Sequence, residues 1–176
     1  MSRPCGIRYR TAVFLESMNL EIRDARPVDV ARILEMMRDF ADFVGLRDYL
    51  TISDQRLDMA VFGEGAFVEL LVAVRQNTIA GYAMFYPHFS SFRGERGYYL
   101  EDIYVDEGSR RSGVGLALLR AIARRAAERG FERIDFQVLK SNTGALHFYE
   151  RLGAESNDQE CRFRFAGGAF ARLAGK

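Results

Sequence analysis

Cysteine and histidine are both scarce in this 176-residue chain, at two residues each. Cys5 and Cys161 are too few for a disulfide framework, and with only His88 and His147 beside them no zinc-ligand spacing exists, so no metal is expected. A charge of one sign is also missing, because 25 basic residues face 24 acidic ones for a net charge of +1. That balance argues against a nucleic-acid or membrane partner. No apolar run approaches the roughly 18 residues of a spanning helix. The stretch Thr11–Leu15, which follows Arg3, Arg8 and Arg10, is shorter than a secretory apolar core and is closed by Glu16. A cytoplasmic location is therefore expected. What is present is a globular balance of 48% hydrophobic and 28% charged residues, in a length that favours one domain.

Residues 1–17 show neither helical nor strand periodicity and read as an N-terminal extension, which leaves residues 18–176 as a single domain. Leu20-Glu21-Ile22-Arg23 alternates like a short strand. Pro27 pre-sets a helical turn, and Val30, Ile33, Leu34, Met37, Phe40, Ala41 and Val44 follow at helical spacing up to Gly45. Ser53 suits the cap of a second helix that Gly63 ends. Phe67–Val74 and Thr78–Tyr86 read as paired strands about a turn at Asn77. Pro87–Gly97 reads as a polar, aromatic loop and Tyr98–Val105 as a third strand. Gly113 opens a helix with Val114, Leu118, Leu119, Ile122 and Ala126 inward, capped by Gly130. Phe131–Leu139, a short helix capped by Asn142, and a strand at Arg162–Phe165 complete an expected order β-α-α-β-β-β-α-β-α-β. This order describes a mixed sheet with helices on its faces.

The chemistry concentrates in Arg110-Arg111-Ser112-Gly113-Val114-Gly115, between a strand and a helix. Glycines let backbone approach a ligand, and the unpaired first amides of a helix attract phosphate. A P-loop would need Gly-Lys-Ser/Thr, which is absent. A Rossmann turn would need glycine where Leu118 stands. The coenzyme A pyrophosphate pattern, Arg/Gln-x-x-Gly-x-Gly/Ala, is matched in full by Arg110, Gly113 and Gly115. Six residues alone leave open a glycine-rich helix start with no ligand.

Residues 18–165 resemble the GCN5-related N-acetyltransferase (GNAT) superfamily in element order. Tyr99-Leu100-Glu101-Asp102-Ile103-Tyr104-Val105 is similar to the Leu-Glu-Asp strand of its spermidine/spermine (diamine) acetyltransferase-like subgroup. Phe89-Ser90-Ser91-Phe92, Asn142-Thr143-Gly144-Ala145 and Phe148–Ala154 resemble further signatures of that subgroup. The resemblance implies an α/β (α+β) fold, with a mixed, mostly antiparallel sheet flanked by helices and splayed parallel strands holding acetyl-CoA. It implies that the backbone of Arg111, Ser112, Gly113, Val114, Gly115 and Leu116 cradles the pyrophosphate. Arg110 stands beside that cradle as a phosphate partner or a solvated loop charge. Ile103, Tyr104 and Val105 would line the pantetheine arm, and Asn142 and Ala145 its exit. Tyr149 matches the family's general acid at the thioester sulfur. Glu101 matches the acid at the acceptor amine, with Asp102, Phe43 and Phe92 beside the substrate. A homodimer is implied by the resemblance alone.

Elementary chemistry is consistent with these roles. An amine of pKa near 10.4 can attack a thioester only when neutral, and deprotonating it at pH 7 costs about 4.6 kcal/mol. A carboxylate can bind the ammonium and relay its proton through water, while a phenol supplies the proton that the departing thiolate needs. No Ser-His or Cys-His set is required. Strand alternation would put Glu101, Ile103 and Val105 on one face and Leu100, Asp102 and Tyr104 on the other, unless a bulge intervenes. Polyamines call for additional carboxylates. Val44 stands where the subgroup has one after its aromatic residue, leaving Asp42 and Asp48 nearby and Glu160 near the C-terminus, so spermidine and spermine are disfavoured. The expected activity is acetyl transfer to a small diamine, polyamine or lysine-like amine. The alternatives are a protein N-terminal or lysine acetyltransferase, and a non-catalytic acyl-CoA sensor. The aromatic segment Tyr86–Phe92 reads as a lid over a small acceptor.

Overall fold

The computed structural model describes residues 20–157 and 161–176. The extension expected at residues 1–17 and the candidate acid Glu160 lie outside these. The described residues form two compact units, one ending at Gln137 and one starting at Val138.

The first unit is a five-stranded sheet in the order β1-β2-β3-β4-β5. Its strands are β1 (Leu20–Asp24), β2 (Glu69–Arg75), β3 (Thr78–Ser90), β4 (Glu95–Val105) and β5 (Arg133–Phe136). The first four are antiparallel neighbours and β5 joins β4 in parallel. Helices α1 (Val30–Phe43) and α2 (Asp54–Phe62) pack on one face. Helix α3 (Val114–Glu128) packs on the other. Alternation along β2 divides the core accordingly. Leu70 and Val72 join Ile33, Leu34, Met36 and Leu57 beneath α1 and α2, whereas Leu71 and Ala73 join Val114, Leu118 and Ile122 beneath α3. Each of the larger side chains among these contributes about 1.5–3 kcal/mol by leaving water.

Local chemistry explains the element ends. Gln76 and Asn77 both take positive φ, at 49° and 61°, and close the β2–β3 hairpin by a two-residue turn whose twist suits the strands. The Ser53 hydroxyl accepts the Arg56 amide at the start of α2. Asp29, buried just before α1, accepts both guanidinium nitrogens of Arg23 at 2.7 and 3.0 Å and the Arg26 amide at 2.7 Å. This locks α1 onto β1, and the Arg23 hydrogen bonds hold the Asp29 carboxyl below its usual pKa despite burial.

Two expectations are overturned. Pro87–Gly97 is not a loop. β3 continues to Ser90, β4 begins at Glu95, and only residues 91–94 turn between them. Pro87 suggested a break because it lacks an amide, yet it sits opposite Tyr98 within the hairpin ladder. Nor is Arg162–Phe165 a strand. It has no regular structure, Phe163 and Phe165 are exposed, and all strands of the sheet come from the first unit. Alternation supplies a strand with a face but not with a ladder partner. The second unit instead contains α4 (Thr143–Glu150) and an unexpected short helix, α5 (Gly167–Leu173).

Candidate active site

The register between β3 and β4 slips by one residue at the Leu-Glu-Asp motif. Met84 pairs with Asp102 and Phe85 pairs with Leu100, so Glu101 is the extra residue of a β-bulge. The bulge resets the alternation. Tyr98 and Leu100 lie with Ile103 and Val105 in the α3-side core, while Tyr104 joins Tyr82 on the α1 side. Glu101 therefore does not share a face with Ile103 and Val105. Its carboxylate accepts the Tyr86 hydroxyl at 3.3 Å. Asp102 feels the Glu101 charge and faces Tyr82. The bulge thus gathers both carboxylates on the α1 side. Burial first, and Glu101 second, push the Asp102 carboxyl up to about 6. The Tyr82 ring is fully buried, its hydroxyl has no hydrogen-bond partner among the described residues, and burial holds that phenol well above its usual pKa.

An aromatic wall continues this face along the hairpin. Tyr86 stacks on Tyr99 with centroids 5.4 Å apart. Phe67 meets Tyr86 edge-on at 6.3 Å, and His88 meets Tyr99 at 6.1 Å. The sequence pattern does not reveal this wall, because Pro87 makes the outer part of the hairpin resemble a loop and leaves Tyr86 and Tyr99 without a visible pairing. The signal was the alternation Tyr82, Met84, Tyr86, His88, which carries straight through Pro87. Phe92, expected beside the substrate, is fully exposed at the hairpin turn.

Among the described residues β5 pairs with Gly97–Leu100, and β4 runs on from Glu101 to Val105 with no described strand on its β5 side. An extended amide-bearing arm fits along such an edge. Just beyond, Arg111 and Gly113 adopt left-handed φ of 60° and 88°. The first helical hydrogen bond of α3 there runs from Ala117 to Gly113, so the amides of Val114, Gly115 and Leu116 have no partner within the helix. A Cβ on Gly113 would meet nothing within 4 Å. This open amide turn suits a diphosphate, and the Val114 side chain is buried beneath it.

Arg110 is placed differently from its neighbours. Its amide donates to Glu107 at 3.2 Å and its Nε to the Val105 carbonyl at 3.1 Å. Its guanidinium lies 4.6 Å from the Phe43 ring centre and 5.6 Å from that of Tyr104. The side chain braces the loop against the end of α1. The Ser112 hydroxyl likewise turns back to the Ser109 carbonyl at 2.6 Å. Asp42, one of the acids considered for a polyamine, is paired with Arg47 at 2.6 Å.

In the second unit, Asn142 caps α4 by accepting the Ala145 amide at 3.2 Å. Tyr149 lies on α4 with its ring 5.2 Å from Phe148, and burial pushes its phenol up to about 12.

Comparison with known proteins places the chain in a family. The sequence profile of the acetyltransferase (GNAT) family matches residues 32–154. The thialysine N-epsilon-acetyltransferase of Bos taurus is 35% identical over 167 residues, spanning 88% of this chain and 97% of the relative. An L-ornithine N5-acetyltransferase of Arabidopsis thaliana is 40% identical over 77 residues, 44% of this chain and 34% of the relative. Among solved structures, an integron cassette protein from V. cholerae superposes with a TM-score of 0.74 at 25% identity, covering 90% of this chain and 99% of the other. The chain belongs to the acetyltransferase (GNAT) family. It is an N-acetyltransferase of the diamine acetyltransferase-like subgroup, and acetyl-CoA is the acyl donor of that family. Among the described residues no helix is long and apolar enough to cross a membrane.

Proposed function

We propose that this enzyme acetylates the side-chain amine of a basic amino acid or the amine of a comparable small diamine. The observation that carries this reading is the bulge at Glu101, which gathers two carboxylates and a tyrosine pair on one sheet face. Carboxylates bind an ammonium, and aromatic faces complement both its charge and its methylene chain. The relatives named for thialysine and L-ornithine support an acceptor of this kind.

When bound, acetyl-CoA supplies an activated acetyl thioester. The amides of Arg111 to Leu116 would hold its diphosphate, and the β5-side edge of β4 at Ile103 and Val105 its pantetheine arm. Arg110 contributes by bracing this loop. Glu101 receives the acceptor as ammonium and takes its proton through water, which offsets the cost of presenting a neutral amine at pH 7. Asp102 adds negative charge beside it. Tyr149, by resemblance to the family, donates a hydrogen bond to the departing sulfur. Because its phenol lies near 12, above a thiol near 8.5, full proton transfer would be uphill by roughly 5 kcal/mol. Tyr149 therefore acts as a fixed donor to the developing thiolate, and solvent completes its protonation. A cytoplasmic homodimer belongs to the same reading, with sedimentation velocity as the check on its subunit number.

The test is release of free thiol from acetyl-CoA with ornithine, lysine, putrescine, spermidine and a lysine-bearing peptide. The expected result is turnover of the short amino acids and diamines above spermidine and peptide. Turnover of the peptide alone would replace this reading with protein acetylation.

A further inference from the structure

The face that holds Glu101 carries a second polar group further along the hairpin. β5 is in parallel register with β4, so Asp135 lies beside Tyr99 and Arg133 beside Gly97. Cα partners in a ladder point their side chains to one face, which puts Asp135 on the side of Tyr99 and Tyr86. His88 from β3 confirms this placement, with Nε2 3.6 Å from Asp135 and its ring against Tyr99. Gly97 makes room for the arrangement, since a Cβ there would lie 2.6 Å from the Arg133 carbonyl oxygen.

The chemistry of this group is that of a zwitterion receptor. The Arg133 guanidinium gives Nε and one terminal nitrogen to Asp135, at 2.7 and 2.6 Å. Its other terminal nitrogen reaches Glu95 only at 3.5 Å, the outer limit of a hydrogen bond. Donors on that nitrogen and on His88 could meet a carboxylate, while the partly exposed carboxylates of Asp135 and Glu95 offer acceptors to an ammonium. The side chains of all four are between about a quarter and two-fifths exposed, at 28% for Arg133, 29% for Asp135, 33% for Glu95 and 38% for His88. Two residues along a strand and one strand across put the Cα atoms of Glu101 and Asp135 roughly 8 Å apart, with the tyrosine stack between them. Once both side chains reach inward, that gap matches the side chain of a basic amino acid.

We propose that His88, Arg133 and Asp135 form a head-group subsite that takes the α-ammonium and α-carboxylate of an amino-acid acceptor while its side-chain amine lies at Glu101. This rests on the functional reading above and adds a selectivity which that reading does not require. A diamine can use Asp135 but leaves Arg133 and His88 without a carboxylate, so the subsite favours amino acids over their decarboxylated counterparts.

The experiment compares kcat/KM for ornithine against putrescine, and for lysine against cadaverine, in the wild-type enzyme and in Arg133→Met, Arg133→Lys and His88→Ala. The wild type is expected to favour each amino acid at least tenfold. Arg133→Met should bring that ratio close to one, mainly through the KM of the amino acid, and Arg133→Lys should keep part of it. His88→Ala provides the reading if Arg133→Met fails to fold. A wild-type ratio near one, or ratios unchanged in the variants, would overturn the subsite while leaving small-amine acetylation intact. Absence of turnover with all four amines would instead overturn the functional reading itself.

Discussion

Arg110 lies over the ring of Phe43, 4.6 Å from its centre, and so ties the loop before α3 to the end of α1. A phosphate-binding arginine would reach outward, whereas this one also bonds the Val105 carbonyl. The pair predicts energetic coupling. Arg110→Ala and Phe43→Ala should each destabilise the protein, and the double variant should lose less than their sum by about 0.5–1 kcal/mol, the worth of an exposed cation–π contact. Urea denaturation of the four proteins measures this. Strict additivity would mean that the two side chains only happen to lie close.

Gly113 separates backbone need from side-chain need in the same loop. Its φ of 88° strains any residue with a Cβ, while the space that a Cβ would enter is open. Gly113→Ala should cost about 1–2 kcal/mol of stability from the left-handed conformation. Gly113→Val should, in addition, weaken coenzyme A binding at least tenfold by isothermal titration calorimetry. Wild-type affinity in the valine variant would show that the diphosphate sits elsewhere.

Asp102 predicts a pH effect of known sign. Its folded pKa of about 6 lies above the usual aspartate value of 3.8, so between about pH 4 and 6 the folded state holds more protons than the unfolded one. Its contribution to stability is best below pH 4 and declines as pH rises through 6, by at most about 3 kcal/mol. Asp102→Asn should raise the melting temperature at pH 8 and flatten the stability profile between pH 4 and 6. It should also lower kcat/KM for the amine, since stability here trades against charge at the site. A variant no more stable than wild type at pH 8 would contradict the burial of this charge.

Much of this architecture was legible from periodicity. The α1, α2 and α3 patterns, the Ser53 and Asn142 caps and the Gly113 turn are local signals, and each lies where its residues foretold. Features that depend on partners were not legible. No spacing rule reveals that Glu101 is surplus in its ladder, because a bulge exists only relative to β3. The direction of Arg110 depends on Phe43, far away in sequence, and the proline of the hairpin makes His88 look like part of a loop. Conversely, Arg162–Phe165 alternates like a strand but lacks a ladder among the described residues.

Tyr149 tests the chemical step itself. With its phenol near 12, it stays protonated throughout the working range, so it should add no ionisation of its own to the pH–rate profile below about pH 10. On the proposed role, Tyr149→Phe would remove one hydrogen bond to the leaving sulfur while keeping the ring beside Phe148. Loss of a charge-assisted hydrogen bond worth about 1.5–3 kcal/mol corresponds to a fall in kcat of roughly 10- to 150-fold. Coenzyme A affinity should change little, because the interaction develops only as the thiolate forms. Pre-steady-state thiol release measures the step directly, and the deficit should shrink with an acyl donor whose leaving thiol is more acidic. An equal deficit for every leaving group would assign Tyr149 to packing rather than to catalysis.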